Sequence, residues 1–283
     1  MSPQPAVETA PRKKRSAGRN LPAAIGVGVG LGSLVVIGLF FAPWVMVILA
    51  AAAAAVGNWE VVHGINQKRG MGIPLTPAVI TAFLLPIIAY VGGGQWLIFA
   101  VVASILFLIA CRLFGSRNGM IMSVMGSMFA MLWVPFMIAL ALLIFREDAG
   151  NGKIFMILVM AIGNDTWGYI AGVLWGKHPM APKISPKKTW EGFAGSMVGS
   201  LIVGVVSALV LGLPWWFGMV LAIFLVITAT TGDLAESMVK REIGIKDMSN
   251  ILPGHGGVMD RLDSIVFCLA IGYVLFTVFA PLL

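Results

Sequence analysis

Between Ser237 and Asp263 the chain reads SMVKREIGIKDMSNILPGHGGVMDRLD, flanked by two strongly apolar segments. These 27 residues hold four cations, four carboxylates and one of the three histidines, in a chain that is only 11% charged. Charge set beside a bilayer is costly, and it marks a working site more often than decoration. Just upstream, Asp233, Glu236, Ser237 and Lys240 stand at i, i+3, i+4 and i+7, so a continuous helix puts them on one face. Asp260 and Asp263 share a face at the start of the next apolar run. The helix dipole alone favours a carboxylate at such a start. It does not account for two acidic faces interleaved with Lys240, Arg241, Lys246 and Arg261. Carboxylates that hold Mg²⁺, beside cations that meet phosphate, are recurrent equipment for phosphoryl-group chemistry.

The intervening Pro253-Gly254-His255-Gly256-Gly257 supplies backbone that can approach anionic oxygens closely. His255 is open to three roles: general acid or base, phosphate donor, or loop-fixing residue. No Cys or second His stands at zinc-ligand spacing, and no nucleophile-elbow sequence accompanies the histidine. A second polar segment runs from Asn164 to Gly192. Asp165 lies near the end of an apolar span, as a functional acid or an ordinary capping group. Ser185-Pro186-Lys187-Lys188-Thr189 gathers hydroxyls and cations before the next span, with Glu191 beyond. Anchoring at the membrane surface accounts for the lysines. It leaves Ser185, Thr189 and Glu191 unexplained, whereas hydroxyls and lysines together suit phosphate oxygens.

These segments need elements to position them. A hydrophobic content of 59% and a mean hydropathy of +0.96 define an all-α, polytopic membrane protein. The apolar runs are continuous, which excludes the alternation of a β-barrel, and too little polar surface remains for a soluble globule. Nine spans are expected, near 21–41, 42–57, 75–91, 94–112, 119–145, 152–168, 192–212, 214–232 and 263–283. With the N-terminus cytoplasmic, seventeen of the nineteen Lys and Arg residues fall inside; only Arg146 and Lys153 fall outside. The net charge of +7 is therefore a topology signal and not a nucleic-acid footprint. Residues 1–20 are expected to be a disordered basic cytoplasmic tail drawn to anionic lipid, with no cleaved signal peptide. Residues 21–160 are expected to serve as anchoring helices and 161–283 as the catalytic region; Glu60 and His63 fall on the cytoplasmic side, where they either line the site or, the favoured reading, stand in a solvated loop.

Gly26, Gly28, Gly30 and Gly32 superficially suggest a dinucleotide loop but lie within a span, with no preceding strand. Their four-residue spacing suits close helix packing, as does that of Gly168, Gly172 and Gly176, and of Gly195 and Gly199. Such faces permit a homodimer without requiring one. Cys111 and Cys268 are expected to be packing residues.

Ser237, Lys240-Arg241, Lys246-Asp247, Leu252-Pro253, His255-Gly256-Gly257 and Asp260-Arg261-x-Asp263 together resemble the signature of the phosphatidate cytidylyltransferases, or CDP-diacylglycerol synthases. Asp165-Thr166, Tyr169 and Ser185-Pro186-Lys187-Lys188-Thr189 with Glu191-Gly192 are similar to the same family, so the detailed match covers roughly 163–264. Val173 departs from it, standing where many relatives carry a basic residue. The resemblance implies that CTP and phosphatidate give CDP-diacylglycerol and pyrophosphate; a bacterial cell membrane is expected, as no organelle-targeting sequence is read, and the loop charges put the site on the cytoplasmic side. The resemblance also implies Asp233 and Asp260 as leading Mg²⁺ ligands, with Asp263 close behind. Lys240, Arg241, Lys246 and Arg261 would then meet triphosphate or lipid phosphate, and Ser185, Lys187, Lys188 and Thr189 would complete the phosphate site. Ser237, Glu191, Gly256 and Gly257 join the substrate-binding set, and Asp165 adds a further acid or an orienter. A CTP-dependent polyprenol or dolichol kinase is the rival, releasing CDP in place of pyrophosphate. A transporter is disfavoured, because the carboxylates cluster on one surface and no inverted repeat is evident.

Overall fold

The computed structural model describes residues 21–114, 119–252 and 256–283. The basic tail, Arg117 and His255 lie outside the described residues. The elements are α1 (Leu21–Phe40), α2 (Pro43–Arg69), α3 (Leu75–Gly92), α4 (Gly94–Leu113), α5 (Met120–Met131), α6 (Met137–Phe145), α7 (Gly150–Trp175), a two-stranded hairpin β1 (Pro179–Ala181) and β2 (Ser185–Thr189), then α8 (Trp190–Val210), α9 (Trp215–Ile243) and α10 (Met259–Phe279). A π-helical turn over Leu132–Phe136 joins α5 to α6 around Pro135, which has no N–H to give to the ladder, so the pair forms one rod.

Among the described residues, eight rods are long and apolar enough to cross a membrane. α1 adds a ninth apolar helix of 20 residues. The chain is an integral membrane protein whose short connections run its rods alternately up and down. The turns after α2, α4, α7 and α9 therefore share one end of the bundle. That end carries Lys68, Arg69, Arg112, Lys177, Lys183, Lys187, Lys188, Lys240, Arg241, Lys246 and Arg261.

Several helices outrun their expected limits. α2 continues past residue 57 to Arg69, α7 past 168 to Trp175, and α9 past 232 to Ile243. Apolarity sets where a helix meets lipid, but backbone hydrogen bonding continues until a residue such as Gly70 or Gly244 turns left-handed, at φ 61° and 73°. In consequence Glu60 is not in a solvated loop. It is 1% exposed, inside α2. The segment before α8 is likewise not plain loop, since Ser185–Thr189 pairs antiparallel with Pro179–Ala181.

One buried core runs through both halves of the chain, from Val47 and Leu85 through Trp133 and Ile157 to Phe217 and Leu269. The α7–α8 seam is made by small residues, as expected. A β-carbon on Gly192 would stand 2.9 Å from the Gly168 carbonyl oxygen, and one on Gly195 would stand 2.2 Å from the Ala171 methyl. The glycines of α1 do otherwise: added β-carbons at Gly26, Gly28, Gly30 and Gly32 would meet nothing within 4 Å. Cys268 is buried and Cys111 half-buried, and both are free thiols.

Candidate active site

α9 remains helical through Asp233, Glu236, Ser237 and Lys240, so these four share the face that turns toward α10. The two helices close tightly because residue 232 is glycine. A β-carbon there would lie 2.6 Å from the Asp263 carbonyl oxygen and 2.7 Å from the Phe267 ring. That approach brings the carboxyl groups of Asp233 and Asp263 within hydrogen-bonding reach of each other, with Glu236 beside them. Glu236 is fully buried; its Oε2 lies 2.5 Å from the Lys240 ammonium, while Oε1 is buried with no hydrogen-bond partner.

Lys240 also donates to Asp260 Oδ1 at 2.9 Å and so links the two acidic faces. Asp260 is heavily engaged: its carboxylate accepts from Met248 N at 3.0 Å and from Gly257 N at 2.8 Å. Gly256, at φ 87°, occupies the left-handed region and pairs with Leu252 across an isolated bridge. The glycines do let main-chain N–H groups approach anionic oxygens, but those oxygens belong to the protein, in Asp260 and Glu60.

The other polar segment faces Thr230 and Asp233 of α9 across a cavity of about 660 Å³ bounded by α7, α8, α9 and the hairpin. Asp165, Lys187, Lys188, Ser185 and Asp233 line it, with Val173 among the apolar residues. Lys188 reaches from β2 to ion-pair with Asp233 Oδ2, joining segments 45 residues apart. Thr189 lines the cavity while its hydroxyl accepts from Gly192 N at 3.1 Å, capping α8. Glu191 is not among the cavity residues. It accepts from Lys177 N and His178 N and pairs with His178 Nδ1 at 2.5 Å, closing the turn after α7. Arg241, Lys246 and Arg261 are exposed at the same end of the bundle, and Ser237 is half-buried on α9.

Sequence reasoning missed one cavity residue. Asn164, 6% exposed, lines the cavity with a buried Oδ1 that has no hydrogen-bond partner, and its carbonyl accepts from Ser196 Oγ at 2.6 Å. Glu60, offered by sequence for the site or a solvated loop, is instead buried within α2 and does not line the cavity; the apolar Val61, Val62 and Ile65 after it were the signal that the helix continues.

Among the described residues no three His, Cys, Asp or Glu side chains converge to hold a metal unaided. Asp233, Asp260 and Asp263 are thus not gathered into one three-carboxylate centre. The donor chemistry nonetheless suits Mg²⁺, which takes one or two carboxylates and completes its octahedron with water and substrate phosphate. Two carboxyl groups in contact need a proton or a cation between them, and Asp233 already meets an ammonium. The pair Asp233 and Asp263 therefore fits a divalent ion. Asp260 could join only by releasing some of its present bonds.

Fold and site define a polytopic α-helical membrane protein with acidic and basic side chains gathered at one end of its bundle. The chain belongs to the cytidylyltransferase family, whose description matches residues 22–279. It is an enzyme, a nucleotidyltransferase. It is 37% identical to the phosphatidate cytidylyltransferase of Mycobacterium leprae, over 92% of this chain and 89% of that one. Identity to the protein of the same name from Mycobacterium bovis is also 37%, over 93% and 89%. The Bacillus subtilis phosphatidate cytidylyltransferase is 40% identical over 47% of this chain and 51% of its own.

Proposed function

We propose that this protein transfers the cytidylyl group of CTP to phosphatidate, releasing pyrophosphate and forming CDP-diacylglycerol for phospholipid synthesis. The observation that carries this reading is the cavity in which Lys188, Lys187 and Ser185 face Asp165 and Asp233, at the end of a membrane bundle. A lipid phosphate and a soluble triphosphate can both reach such a place. The names of the relatives supply the substrate class.

A phosphate oxygen of phosphatidate attacks the α-phosphorus of CTP. The bond from that phosphorus to the oxygen bridging to the β-phosphate breaks, and pyrophosphate leaves with the electron pair. No protein nucleophile is needed. The barrier lies in bringing two polyanions together and in stabilising the departing charge. Lys187 and Lys188 neutralise phosphate oxygens from the hairpin side, and Arg241, Lys246 and Arg261 draw the anions to this face. Asp233 and Asp263 would hold Mg²⁺, which when bound supplies charge neutralisation at the phosphates. The site faces the cytoplasm of a cell membrane, by the same basic asymmetry that orients the loops.

The test uses purified protein in mixed micelles with CTP, phosphatidate and Mg²⁺, following pyrophosphate and cytidine-labelled lipid together. Equal release of both, abolished by EDTA, is the expected result. CDP release on a polyprenol, with no labelled lipid from phosphatidate, would replace this reading with a lipid kinase.

A further inference from the structure

We infer that Glu60, about 200 residues upstream of α10, is a positioning residue for the acidic pair, holding the start of that helix and the loop before it. The inference rests on the proposed reading of the site. Glu60 projects from the middle of α2 and is 1% exposed. Its Oε1 accepts from Ser249 Oγ at 2.5 Å and from Val258 N at 2.9 Å, and its Oε2 accepts from Met259 N at 2.7 Å. A buried carboxylate is tolerable when charge-assisted hydrogen bonds replace its lost water.

The two backbone donors, Val258 N and Met259 N, are among those a helix leaves orphaned at its N-terminus. Val258, at the N-cap position of α10, has no side-chain cap of its own, so the carboxylate from α2 takes that place and meets the positive end of the helix dipole. The fit is close. A β-carbon on Gly257 would stand 2.7 Å and 2.8 Å from the two Glu60 oxygens. Glycine at 257 thus admits the carboxylate, in a position whose neighbours in sequence read as a substrate loop.

Met259 is directly followed by Asp260, and Asp263 lies one turn further on. A change in the angle at which α10 begins therefore moves Asp263 relative to Asp233, and Asp260 relative to Met248 and Lys240. Ser249 extends the same hold to the loop. Glu60 touches no cavity residue in these bonds; it acts through the backbone of α10.

The experiment compares the full chain with Glu60→Ala, Glu60→Gln, Gly257→Ala and the double variant Glu60→Ala/Gly257→Ala in detergent. Hydrogen exchange of peptides within 244–263, without substrate, is read first. Glu60→Ala should speed exchange there at least about tenfold while α7 and α8 stay unchanged. Cytidylyl transfer per folded molecule is then measured against Mg²⁺ concentration. Turnover should fall about 100-fold and half-saturating Mg²⁺ should rise, because small displacements of reacting groups are costly. Gln keeps one acceptor oxygen for three donors, so its effect should be intermediate. Gly257→Ala should resemble Glu60→Ala, and the double variant should be no worse than the poorer single, since removing the carboxylate makes room for the methyl group. Unchanged exchange at 244–263 overturns the inference, as does looser exchange with unaltered turnover per molecule. A wild-type protein that makes no cytidine-labelled lipid overturns the proposed reaction instead, and the exchange data still decide the anchor.

Discussion

Lys188 and Asp233 are the most exacting pair at the scale of single residues, because each supplies the other's charge partner across the cavity. Lys188→Ala leaves Asp233 without that ammonium and removes a cation from the cavity. Transfer is expected to fall about 10²–10³-fold, the usual cost of losing one preorganised charge. The check is turnover normalised to folded protein. Asp263→Asn should be at least as severe, since it takes an oxygen donor from the carboxyl pair at which the two acidic faces touch. Asp260→Asn should also abolish turnover while leaving expression and membrane insertion largely intact. Its new amide N–H would point at donors, because Met248 N, Gly257 N and Lys240 already surround that carboxylate. The three substitutions separate under hydrogen exchange: Asp260→Asn alone should loosen the 244–258 loop.

At the scale of elements, the site depends on how near α9 comes to α10. Gly232 sets that distance, with the Asp263 carbonyl oxygen 2.6 Å from where a β-carbon would be. Gly232→Ala is expected to cost about 1–3 kcal/mol through overpacking. It should also lower transfer by parting Asp233 from Asp263; thermal unfolding in detergent and turnover together test this. Thr189→Ala makes a useful contrast. It removes the hydroxyl that accepts from Gly192 N at the start of α8, worth about 1 kcal/mol for a helix cap. Thr189 also lines the cavity, so a loss of transfer beyond the loss of stability would show that it meets substrate as well.

For the whole molecule, the decisive property is that all functional turns emerge at one end. A membrane-impermeant thiol reagent applied to intact cells should label Asp148→Cys and leave Lys183→Cys unlabelled, in a background where Cys111 and Cys268 are serine. The reverse pattern would place the site outside and remove access to cytoplasmic CTP. The orientation proposed here rests on the positive charge at the site's end. Both halves of the chain also meet at that end: Arg69, ending α2, donates to the Glu242 carbonyl at 2.8 Å.

Apolar runs and basic loops by themselves determined that this is an all-helical membrane protein with a polar face at one end, because hydropathy and charge act locally and need no partner. The shared face of Asp233, Glu236 and Lys240 was equally legible, being a matter of helical period. Tertiary structure alone decided which of those groups stay available. Asp260 and Glu191 read as site ligands yet hold backbone N–H groups, whereas Glu60 read as a loop residue yet supports the site from within α2. The reason is that a buried carboxylate is defined by the donors that surround it. Here those donors come from loops and helices up to 199 residues away, which no local pattern reveals.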